Sequence, residues 1–203
     1  MSKKQEFIDH VRSELKQAGG TLRLANTKNV LADGLCCSGY FDSEVPNISV
    51  AINKPEEIWL STLCHEFSHF QQWQSDSAAW RNTLLPDGRD GGNVFEEWLD
   101  GEEHDLELVK DSIARYRRLE LDCERRCVKN LTKFQLPIDI GVYCQRANAY
   151  IHFYNFIFER RRWYKRGKPP YASPAIMKVM PKTMDGRYDR TPKWLIDLFD
   201  IHC

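Results

Sequence analysis

Apolar residues recur along this chain at three- and four-residue intervals in some stretches and at alternate positions in others. The two periods predict helices and strands respectively. Phe7, Ile8, Val11 and Leu15 mark a helix from Lys3 to Ala18, which Gly19-Gly20 ends. Thr21 to Ala25 alternates and predicts a strand. Asp33-Gly34 marks a turn, Leu35 to Phe41 predicts a second strand, and Ile48 to Ile52 a third after Pro46-Asn47. Pro55-Glu56-Glu57 opens the next helix: Asn53 is placed to cap it, proline sits early, and acids favour its positive end. Leu60, Leu63, Cys64, Phe67 and Phe70 form the apolar stripe of that helix.

From Asn82 to Gly101 the chain reads as a loop, with Pro86-Asp87-Gly88 and Gly91-Gly92. A long amphipathic helix follows, from about Leu106 to Phe134. Its stripe is Val109, Ile113, Tyr116, Glu120, Cys123, Cys127, Leu131 and Phe134. Pro137 breaks the chain, and Asp139 caps a third long helix from about Ile140 to Arg162. After Pro169-Pro170 comes a tail of loops and turns, closed by a short amphipathic helix at Trp194 to Phe199. Short strands followed by long helices predict an α+β fold, mainly helical, with a small three-stranded sheet packed on the helix after Pro55.

Composition narrows this little. The 203 residues suffice for one sizeable core, and 42% hydrophobic with 29% charged residues is ordinary for a globular chain. Net formal charge is zero, but the charge is segregated: Asp90 to Asp111 is acidic and Arg160 to Lys193 basic. No run is long enough to span a membrane, and the polar N-terminus has no apolar signal core, so no membrane partner is expected. Seven cysteines form an odd set without the rhythm of a disulfide scaffold, which points to a reducing, cytoplasmic compartment.

The candidate chemistry lies in Leu63-Cys64-His65-Glu66-Phe67-Ser68-His69-Phe70, which contains H-E-x-x-H. Four helical residues rise about 6 Å in just over one turn, so His65 and His69 share a face. Two imidazoles so placed can grip one Zn²⁺, with Glu66 positioned to take a proton from water. The motif also arises by chance on solvated helices. Here, however, no Lys or Arg occurs from Ile58 to Trp73, and a lone Glu in so apolar a helix needs a partner or a task.

Glu120 sits within the buried stripe of the later helix, where a carboxylate is rare unless paired or bound to metal, and is the expected third zinc ligand. Glu124, one turn on, is placed to hydrogen-bond the other ring nitrogen of His65 or His69. Ion pairs to Arg117, Arg118 or Arg125 are the plainer alternative for both acids. His104 is the alternative third ligand. A tyrosine of the third helix, or His152, is a candidate to donate to a developing oxyanion. Arg160 to Arg166 interleaves cations with Trp163 and Tyr164, a pattern that nucleic-acid surfaces use; a cationic helix end meeting its dipole accounts for it more simply.

These pieces resemble the zincin metalloproteases of the gluzincin branch. There, a second helix supplies a Glu with an acidic residue four positions later, as in Glu120-Leu121-Asp122-Cys123-Glu124. The strand at Ile48 to Ile52 before the motif helix is similar to the ImmA/IrrE group of small intracellular peptidases, over roughly Asn47 to Leu131. The resemblance implies a minimal gluzincin-like domain at 1–168, with about 82–105 as an insertion and 169–203 as a tail docking on the same domain. It also implies a zinc-dependent protease acting on an intracellular regulatory protein. The SprT-like group is a weaker relative: Arg89 to Phe95 is similar to its post-motif region, but its third His and Cys-rich ribbon are missing. The alternative function is a non-catalytic zinc-containing protein that engages a protein or nucleic-acid partner through its acidic and basic stretches.

Overall fold

The computed structural model describes residues 2–32 and 34–203. Asp33, in the expected turn, lies outside them, as does Met1. The fold is α+β and mainly helical. Its strands are β1 (Leu22–Ala25), β2 (Val30–Ala32), β3 (Leu35–Cys37), β4 (Gly39–Asp42) and β5 (Asn47–Ala51). Its helices are α1 (Lys3–Gln17), α2 (Glu56–Gln74), α3 (Ala78–Arg81), α4 (Gly91–Leu99), α5 (Leu106–Lys133), α6 (Ile140–Arg160), α7 (Pro174–Val179) and α8 (Lys193–His202). Contacts divide the chain into two compact units, residues 1–77 with 123–138 and residues 78–122 with 139–203, so α5 contributes to both. The tail after residue 168 belongs to the second of these.

In the first unit, the Ser2 hydroxyl accepts from the Gln5 amide and starts α1. That helix buries Phe7, Ile8, Val11 and Leu15. Phe7 packs on Phe67 and Phe134, with ring centroids 5.8 and 5.1 Å apart. The three-stranded sheet has the order β1-β5-β4, with β1 parallel and β4 antiparallel to β5. Central β5 buries Ile48 and Val50 on one face and Ser49 and Ala51 on the other, as a strand covered on both faces must.

The expected second strand, Leu35 to Phe41, divides at Ser38. Its first part pairs with the unforeseen β2 as a separate two-stranded sheet, and its second part is the edge strand β4. Ser38-Gly39 is a turn-prone pair at the break, but it does not say which strand each part will pair with. Helix α2 begins without a side-chain cap: Pro55 itself occupies the capping position, and Asn53 does not serve there.

In the second unit, Val94, Phe95, Trp98, Val109, Ile113, Phe153, Phe156 and Phe199 are buried in one core. The stretch read as a loop contains α4. Asp90 caps it by accepting from the Gly92 amide at 2.6 Å, and Tyr116 donates to the same carboxylate at 2.5 Å. A Cβ at Gly92 would collide with the Tyr116 ring, so this glycine makes room for a neighbour rather than marking a loop.

The tail is fastened to α6. Asn148, fully buried, donates to the carbonyls of Pro181 and Thr183 and accepts from the Tyr188 hydroxyl. Gln145 donates to the carbonyls of Met177 and Met180. No helix among the described residues is long and apolar enough to cross a membrane.

Candidate metal centre

Helix α2 presents His65 and His69 one turn apart, with ring centroids 4.7 Å apart and planes at 83°. Their Nε2 atoms stand 3.2 Å from each other. His69 Nδ1 lies 2.8 Å from the Oε1 of Gln72, a fully buried residue. His65 Nδ1 lies 3.2 Å from Glu124 Oε1. A ring nitrogen facing an amide or carboxylate oxygen carries the proton, which leaves the opposite nitrogen as an acceptor. Both Nε2 lone pairs are thereby directed into one gap, where a proton or a metal cation is needed between them.

The dimension suits a metal. Zinc–imidazole bonds of about 2.0–2.1 Å at tetrahedral angles separate two ligand nitrogens by roughly 3.3 Å. Without a metal, one proton serves the pair unequally. Burial works to lower the pKa of His65, but Cys123 and Glu124 outweigh it and hold this ring well above the ordinary histidine range. Burial and the neighbouring His65 push His69 down to about 3.

Helix α5 supplies the other donors. Cys123 Sγ is 3.6 Å from His65 Nδ1 and 3.4 Å from the His65 carbonyl. Its sulfur and single ring nitrogens of His65 and His69 all lie within 4.8 Å of one another. Glu120 lies one turn before Glu124 on the same unbroken helix. Glu120 and Glu124 are both buried, at 8% and 6% exposed. Nitrogen, carboxylate and thiol donors at these separations fit zinc.

His104 falls elsewhere, in a group with Glu97 and Glu102. Its Nε2 is 3.0 Å from Glu97 Oε2, at an ion-pair distance without hydrogen-bond geometry. His152 faces the tail, with Nδ1 3.0 Å from the Thr191 hydroxyl and its ring tilted on Tyr188. Among the α6 tyrosines, Tyr150 and Tyr154 pair their hydroxyls at 3.2 Å. Burial, then the neighbouring hydroxyl or the Glu120 carboxylate, pushes both phenols well up.

Glu66 turns toward β4. It is buried, at 9% exposed, and accepts from the Phe41 backbone N–H. The register explains why that amide is available. Ala51 donates to the Ser38 carbonyl, so by alternation Ser38 and Tyr40 face β5, while Gly39 and Phe41 direct their peptide groups off the sheet edge. Burial raises the Glu66 pKa, and His65 and the Phe41 bond partly offset it. Gly39 sets the approach of β4 to α2: a Cβ there would lie 2.7 Å from Thr62 Cγ2 and 3.0 Å from the Ser49 carbonyl.

Gln72 is the member of this centre that residue patterns did not single out. Gln72 carried a signal, an uncharged polar residue three positions after His69 on an apolar helix. Cys123 and Cys127, four positions apart on one helix, have a spacing that metal ligands use, but without a Cys-x-x-Cys pair core packing is the simpler expectation for a thiol in a buried stripe.

Three cations of the basic stretch, Arg160 to Arg162, are committed to internal contacts. Arg160 and Arg162 bind Asp200 at 2.7 and 3.2 Å. Arg161 donates to the carbonyls of Trp98 and Glu102. Trp163 packs on Phe153 and Tyr164 on both Phe153 and Tyr171. Comparison of the chain with models of protein families, with curated proteins and with solved structures finds no match.

Proposed function

We propose that this protein is a zinc-dependent metallopeptidase, with His65, His69 and Glu120 as ligands and Glu66 as general base. One observation carries the reading: two Nε2 atoms 3.2 Å apart, each on a ring whose Nδ1 faces an oxygen acceptor. Zinc held there would polarise a scissile carbonyl and make water acidic enough to attack it near neutral pH. Glu66 takes the proton of the attacking water and delivers it to the leaving amine. Its burial supports that role, because a raised carboxylate pKa improves the match to both transfers. Gln72 and Glu124 hold the imidazoles in one tautomer. The Gly39 and Phe41 carbonyls face off the edge of β4, where an extended substrate could add, so a peptide rather than a small ester is the fitting substrate. Seven free thiols support a reducing, cytoplasmic setting, and the likeness to small intracellular peptidases suggests a regulatory protein as substrate.

The test is Glu66→Gln, assayed on unfolded casein alongside metal analysis. Zinc content should stay at the wild-type level while hydrolysis falls by roughly 10²–10⁴-fold. Full activity in this variant refutes the assigned base. A second reading, a non-catalytic zinc protein, draws on Cys123: with His65, His69 and a carboxylate it would complete a closed four-ligand shell.

A further inference from the structure

A cleft of about 570 Å³ opens in the second unit, between the end of α7, the loop after it and the start of α8. Its size is in the range of sites that hold a small ligand or a few side chains. Val179, Met180, Pro181, Trp194 and Leu195 line it with apolar surface, and Arg187 and Arg190 add two cations. Trp194 is 55% exposed and Val179 46%, so apolar area remains uncovered. Neither arginine makes an ion pair or hydrogen bond among the described residues. Asp189, between them in sequence, acts instead on Arg117. From Lys178 to Trp194 the chain carries five cations against two carboxylates.

The walls are held in place. Asn148 takes the carbonyls of Pro181 and Thr183, Gln145 those of Met177 and Met180, and Asn155 that of Tyr188. With the Met180 and Pro181 carbonyls engaged from within, the two arginines and the apolar walls are what the cleft presents for recognition. That combination selects an anion with an apolar body. Arginine's planar fork matches carboxylate oxygens, and the exposed indole and aliphatic walls match a hydrophobic side chain. A nucleic acid fits less well: the lining is mostly apolar, two arginines reach it, and the basic run at Arg160 to Arg162 is consumed internally.

We propose that this cleft docks a short acidic peptide segment of a partner protein, its carboxylates on Arg187 and Arg190 and an apolar side chain against Trp194. This binding is independent of the hydrolysis proposed above. The experiment therefore uses the full chain carrying Glu66→Gln, which protects peptides from cleavage. A randomised peptide library is selected on it, and winners carrying a fluorescent label are titrated by anisotropy. Enrichment of Asp and Glu around one aromatic or aliphatic residue is expected. Arg187→Glu with Arg190→Glu should weaken those peptides at least tenfold, and Trp194→Ala should do likewise, with circular dichroism unchanged. Replacing both arginines by lysine should retain part of the affinity. The proposal is overturned by selection without acidic enrichment, by affinities that ignore the arginine reversals, or by a twelve-nucleotide oligo-dT that binds more tightly and displaces the peptides.

Discussion

His65 and His69 direct their Nε2 atoms at a common point from 3.2 Å apart, and the outer nitrogen of each ring faces a buried oxygen. Such an arrangement is unfavourable unless a proton or a metal cation lies between the lone pairs. Removing an outer partner should therefore weaken metal binding without removing a ligand. Glu124→Gln and Gln72→Leu should each lower zinc affinity by about 10–100-fold, measured by competition with a chelator, while His69→Ala abolishes stoichiometric binding. Unchanged affinity in both outer variants would mean the rings are not held for a metal.

The identity of the third ligand separates the two functional readings. Glu120→Ala should lose zinc, and Cys123→Ala should keep it. Cobalt substitution gives an independent readout, because a thiolate ligand adds an intense near-ultraviolet charge-transfer band that nitrogen and oxygen ligands lack. The enzyme reading expects no such band. Its presence, lost in Cys123→Ala, would instead favour the closed shell.

Gly39 controls how closely the edge strand approaches the helix of Glu66. A methyl group there meets Thr62 Cγ2 at 2.7 Å and Ser49 O at 3.0 Å, so something must shift. Gly39→Ala should cost about 1–3 kcal/mol in chemical denaturation. It should also lower hydrolysis beyond what that stability loss explains, because the Phe41 amide moves relative to Glu66. Zinc content should not change.

His152 gives the second unit a pH dependence of defined sign. Burial, with a smaller contribution from Arg117, lowers its pKa to about 4 from an ordinary 6.5. The unfolded chain thus binds the proton more readily than the folded one, and stability rises with pH across this interval. The contribution is present in full above pH 6.5 and is lost as pH falls toward 4, amounting to at most about 3 kcal/mol. Urea denaturation of wild type and His152→Gln at pH 7 and 4.5 should show a smaller acid destabilisation in the variant. His10, whose pKa is lowered chiefly by burial, acts in the same direction in both proteins, so the difference between them is the quantity to read.

Much of this organisation was written in local pattern. The three- and four-residue stripes of α2, α5 and α6 mark faces that must be buried, and Asp139 caps α6 by accepting from the Val142 amide at 2.9 Å, as its position before an apolar run suggests. The H-E-x-x-H spacing fixes two imidazoles on one face of any α-helix, wherever that helix packs. Local signals misled where a residue's role depended on a distant neighbour. Gly91 and Gly92 looked like a loop, yet Gly92 lies in a helix under Tyr116. Asn53 looked like a cap, yet the chain enters α2 with Pro55 in that place.

By itself, the sequence determined the periodic elements and the pair of histidines, because both follow from the geometry of a single helix. Only the tertiary structure decided that Glu124 meets His65, that Cys123 lies beside the same ring, that Glu66 faces the amide of Phe41, and that Arg160 and Arg162 are tied to Asp200. Those relationships join residues from 25 to 59 positions apart. Helical or strand periodicity specifies which side of an element is apolar but not which element will cover it, and pairing at such range is settled by packing of the whole core.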